Sequence, residues 1–239
     1  TNFGDVTLDG SYTQSASSSF TQATNSIMTV KGGAFTLANG ATWTKTSGTG
    51  KLVLDGATNL VYTDNNTSKQ NLGNLQIGAS PGVVTLGSDI GSDTTTIPTG
   101  DTYNTKGYDH VNTGAFDCQG TCTLDMTDTP SGNEGDGTIL DIGGDFTVSS
   151  SATVTAHTGS KVYMNSTSGN NANRTLTTGG KSFKHLEIEN AGTSNEKVTI
   201  SGDLTVTGDL TVTDGTLELN TNDPITTISG TTSIASGAT

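Results

Sequence analysis

The chain repeats itself over so short a distance that few backbones can accommodate it. Residues 201–220 read SGDLTVTGDLTVTDGTLELN: Gly202 to Thr207 is restated by Gly208 to Thr213 and, more loosely, by Asp214 to Leu219. Val206, Leu210, Val212, Leu217 and Leu219 mostly alternate with Thr, Asp and Glu. That is the period-two pattern of strands with one face in a core and one in water. A Gly-Asp or Asp-Gly pair, a turn-forming combination, recurs about every six residues. Such spacing is short for strands joined by hairpins. Three sides of about six residues instead close a rung of about 18 to 20, each strand stacking about 4.8 Å from its counterpart in the next rung. The expected fold is all-β, a β-solenoid of the parallel β-helix kind built from short repeats. Tandem antiparallel β-sandwiches, which also yield strands every eight to twelve residues or so, are the alternative.

A longer echo encloses the short one. GGAFTLANGAT at 32–42 matches GGDFTVSSSAT at 143–153, a shift of 143 − 32 = 111. Asn74–Ile77 falls on His185–Ile188 with the same shift, Lys51–Leu54 on Lys161–Met164 with 161 − 51 = 110, and Val84–Leu86 on Val198–Ile200 with 198 − 84 = 114. One order of motifs is read twice. The sequence therefore divides into a first β-repeat region, 1–90, and a second, 143–239, with a third copy starting at Ser229. Between them, 91–142 reads as an irregular insertion with Pro98, Pro130, a cysteine pair and an acidic loop. Phe35 and Phe146 hold equivalent places and are expected to anchor the core; Trp43, without an aromatic counterpart, fits either a core or a surface role.

Composition narrows the function. About one residue in five is Thr, which favours strands, and 32 Gly supply turns. The formal charge is −13 with only 10 Lys and Arg, which argues against nucleic acid or an anionic membrane as partner. No apolar run approaches the roughly 18 residues of a membrane span, so no membrane insertion is expected. Cys118 and Cys122, separated by Gln-Gly-Thr, suit a small local disulfide and hence an oxidising, extracellular setting; two reduced thiols are the alternative. His110, His157 and His185 lie far apart with no nucleophile motif beside them, and Arg174, Lys181 and Lys184 form the one loose cationic group. No catalysis and no cofactor are expected. Asp125, Asp128, Asn133, Glu134, Asp136 and Asp141 carry oxygen ligands suited to calcium, although neither recognised calcium-loop spacing is present, so a solvated loop is the plainer reading. Asp203 and Asp209 read as turn formers.

The order GG-x-FT-[LV]…GAT, then GK-[LV]-x-[LM], then NLQI or HLEI, then VTLG or VTISGDLTVTGDLTVTDGTLELN, resembles the tandem β-strand repeats of large bacterial surface proteins, the adhesin-like and filamentous-haemagglutinin-like group. The resemblance implies an extracellular or cell-surface, fibrous, non-enzymatic protein. A repeating coil with open strand edges is a template for more strands. The third copy stops in mid-phrase, and Gly4–Gly10 resembles Gly50–Gly56. Head-to-tail homopolymerisation is therefore expected, by strand stacking or strand complementation through Gly4, Val6, Leu8, Ile228 and Ile234; a window of a longer array is the other reading. A glycan-binding or glycan-cleaving β-helix, meeting surface glycans as an adhesin or depolymerase, is the alternative function.

Overall fold

The computed structural model describes residues 4–45, 48–56, 59–79, 81–128, 137–165, 173–190, 196–219 and 224–239. The described residues form 29 short strands and no helix. Ten of them, from Val6–Leu8 to Thr216–Leu219, stack into one sheet. A second face carries seven strands from Tyr12–Gln14 to Thr153–Ala156 and continues as Ser182–Phe183, Leu204–Val206 and Thr226–Ile228. A third begins with Ser19–Gln22 and Thr42–Lys45 and resumes as seven strands from Ile90–Ser92 to Thr232–Ile234. Every pairing between described strands is parallel. The protein is a three-sided β-solenoid. In it, two sides of each rung serve as the crossover that parallel neighbours require. Antiparallel sandwiches are ruled out.

Rungs are longer and less uniform than the expected 18 to 20, running from 19 residues between Ile200 and Leu219 to 30 between Phe116 and Phe146. The extra length lies between strands rather than within them, because sides of two to five residues are held to their neighbours by the strand register. The described residues of 91–142 are not set apart from the coil: Thr94–Ile97, Thr102–Asn104, His110–Asn112, Phe116–Cys118, Thr123–Met126 and Ile139–Ile142 continue all three faces in register, while 129–136 of the expected insertion lie outside the described residues. Their alternation is hidden in the sequence because several inward positions, Ser92, Thr95, His110 and Asn112, are polar yet buried.

Inward residues form columns. One runs Val6, Met28, Leu52, Leu75, Thr95, Phe116, Phe146, Leu176, Ile200, Leu219 without a gap. Phe35 and Phe146 are both fully buried, and Trp43 is a core residue stacked on Phe20 at 4.5 Å. Tyr12, Phe35 and Tyr62 stack in turn at 4.9 and 5.7 Å. Scarcity of aromatics therefore does not mean a coil too narrow for them.

The 111-residue echo does not preserve faces. Phe35 lies in the second sheet and Phe146 in the first; Lys51–Leu54 and Asn74–Ile77 lie in the first, while their counterparts Lys161–Asn165 and His185–Glu189 lie in the third. Val83–Leu86 of the second face likewise matches Lys197–Ser201 of the first. Each phrase returns one face short of five turns.

Candidate functional site

The corners explain the Gly-Asp pairs. The carboxylate of Asp203 accepts the backbone N–H of Ile225 at 3.0 Å, and that of Asp209 accepts Thr231 N–H at 2.8 Å. Asp5, Asp89, Asp109 and Asp145 do the same for Ile27, Asp109, Ile139 and Thr175 at 2.9, 3.1, 2.7 and 2.7 Å. Each acidic side chain stands just before a strand and ties its own rung to the next. These carboxylates are thus occupied by structure. Asp89 and Asp109 line a concavity of about 390 Å³ with Lys69, Asn71, Val111 and Thr113, and both accept amides of the following rung.

Cys118 and Cys122 are disulfide-bonded, with Cα atoms 5.7 Å apart, and both are fully buried. The bridge spans a corner. FDCQGTCT at 116–123 is a further copy of the phrase FTLANGAT, with Cys118 at the place of Leu37 or Val148 and Cys122 at that of Ala41 or Ala152. All three corners close with the same turn: Ala41, Cys122 and Ala152 donate N–H to Ala38, Gln119 and Ser149 carbonyls at 2.9, 3.0 and 3.0 Å.

The calcium set does not assemble among the described residues, where no three His, Cys, Asp or Glu side chains gather. Asp125 Oδ1 accepts from Thr127 and Thr155, Asp128 is exposed, and Asp141 is held by Asn165, while Asn133, Glu134 and Asp136 lie outside the described residues. Arg174 does not join Lys181 and Lys184 in a surface patch. It points inward and donates to Asn190 Oδ1 at 2.8 Å, and burial holds its guanidinium pKa below the ordinary value.

Sequence reasoning missed a polar layer inside the coil. His110 is fully buried, with Tyr103 OH 2.9 Å from Nδ1 and Ser92 Oγ 2.8 Å from Nε2. Ser92 and Thr95 hydroxyls donate to Asn112 Oδ1 at 2.8 and 3.0 Å, and Asn112 Nδ2 donates to the Gly114 carbonyl at 2.6 Å. Burial pushes the His110 pKa down to about 3, so the ring is neutral. A serine beside a histidine suggests nucleophilic chemistry, but both are sealed from solvent. No substrate reaches them. His185 and His157 are elsewhere: His185 lies 3.5 Å from Asp209, and His157 bonds the amide of Gly159.

The outermost rungs differ from the rest. Among described residues, six large hydrophobics are exposed, and four of them belong to these rungs or the residue leading into them: Val6 at 41%, Leu219 at 48%, Ile225 at 68% and Ile234 at 56%. At the first rung, Gly4, Val6, Leu8, Tyr12, Phe20 and Met28 line a concavity of about 540 Å³. Of the residues expected to make polymer contacts, Gly4, Val6 and Leu8 therefore lie in one depression at one end, and Ile228 and Ile234 lie in the last rung at the other. Thr239 already sits beside that rung, its carbonyl accepting Leu217 N–H at 2.7 Å.

No protein-family profile, curated protein or solved structure matches the chain.

Proposed function

We propose that the chain is a structural, non-catalytic segment of an extracellular or cell-surface protein fibre, extended at its ends by further rungs. The observation that carries this reading is the unbroken inward column from Val6 to Leu219, whose two end members are the ones left exposed. A parallel strand laid on either edge buries those side chains and extends the backbone ladder. The covering rung is of the same kind whether it comes from more of one polypeptide or from a second copy. Head-to-tail contact between copies keeps strand direction and puts the last rung over the concavity of the first. The buried disulfide fits an oxidising location, and the surface-repeat resemblance points the same way.

The test is assembly of the purified 239-residue chain. Electron microscopy and light scattering at micromolar concentration should find filaments or linear oligomers. Val6→Lys or Leu219→Lys should abolish them, while Val111→Lys, on the flank of the coil, should not. Discrete monomers at the same concentration, or equal loss in the flank variant, overturns the reading.

A further inference from the structure

The hydrophobic columns do not by themselves fix how far one strand slides along the next. Most strands offer two inward positions two residues apart, so a slide of two residues keeps apolar side chains inside. Such an offset is present in the molecule. Phe146, the first inward residue of its strand, pairs with Leu176, the second of the following strand, whereas Phe116 pairs with Phe146 first to first. Something other than aliphatic packing must choose the register elsewhere.

We infer that the buried layer of Ser92, Thr95, Tyr103, His110 and Asn112 pins the stacking register of the coil. It draws on all three faces: Thr95 from the first, Tyr103 from the second, and Ser92, His110 and Asn112 from the third. One protonation pattern satisfies these contacts together. Asn112 Oδ1 takes the hydroxyl protons of Ser92 and Thr95, so the Ser92 oxygen is free to accept from His110 Nε2–H, and Nδ1 accepts the Tyr103 hydroxyl. Ile90 now faces His110, and Ser92 faces Asn112. A slide of two residues sets His110 against Ser92 and carries Asn112 past its partner, leaving an amide and an imidazole buried without their bonds. Leaving such a group unmet carries its full desolvation cost, whereas the same slide in an aliphatic rung leaves nothing polar unmet. The layer stands near the middle of the coil, so it fixes both halves against one reference.

The test replaces the layer in the full chain with residues like its column neighbours: Ser92→Val, Thr95→Leu, Tyr103→Phe, His110→Leu and Asn112→Ile. Thr95 stands between Leu75 and Phe116, His110 between Ile90 and Leu140, and Asn112 beside Ile142. The variant should keep its β-sheet signal but give a second set of amide resonances for the strands around it, at about a tenth of the main intensity or more, where the parent gives one set. A single set in the folded variant overturns the inference. Should the fivefold variant fail to fold, Tyr103→Phe with His110→Leu and Asn112→Ile decides: it removes the imidazole and the amide that a slide would strand, and leaves the Ser92 and Thr95 hydroxyls within 2.9 Å of each other. Two sets support the inference, and one set overturns it.

Discussion

Asp203 bonds an amide in the next rung, 22 residues away, and this habit turns a local turn signal into a long-range tie. Asp203→Ala should lower unfolding free energy by about 1 kcal/mol, and Asp203→Asn, which keeps the acceptor, by much less, as read from urea denaturation. Two buried groups pull stability in opposite directions with pH. The folded state holds His110 at about 3 against an ordinary 6.5, so the unfolded chain takes up the proton first and stability falls as pH drops through that window. Burial, joined by the nearby Asp55 charge and partly offset by a hydrogen bond from Gly82, lifts Asp101 to about 6 against 3.8. The fold therefore retains that proton, and stability falls as pH rises between those values. His110→Leu should abolish the first loss and Asp101→Asn the second, so urea midpoints of the Asn variant should drop more steeply on acidification than those of the parent. The Gly-Asp corners were legible because their spacing is regular. The partners of His110 were not, because Ser92, Thr95 and Tyr103 come from three other strands and resemble ordinary outward residues in a Thr- and Ser-rich chain.

A side and its corner form the repeating element, and the phrase FTLANGAT is one such piece. Its copy FDCQGTCT places a disulfide where the others place an aliphatic residue and an alanine. The bridge is therefore a reinforcement of a corner that forms without it. Cys118→Val with Cys122→Ala should fold to the same structure and lose about 2 kcal/mol or less, the value expected for a loop with a sequence separation of 4; thermal unfolding with and without reductant measures it. The strand pattern of the two repeat regions was readable from alternation alone. Between them it was masked, since polar residues take inward places there and the sequence offers no sign that they are buried.

For the whole molecule, the net charge of −13 sets copies against one another while the exposed apolar ends favour contact. Screening should settle that contest. Raising ionic strength from about 0.01 M to 0.15 M shortens the Debye length from about 30 Å to 8 Å, so end-to-end growth should accelerate with salt, as followed by light scattering; slower growth would mean that attraction between charges drives it. The return of each phrase one face short of five turns adds a geometric consequence. In an array that kept this spacing, any outward side chain belonging to the phrase would advance by one facet per copy and trace a spiral stripe along the shaft. Three copies would point it in every available direction, leaving a rod with no preferred front.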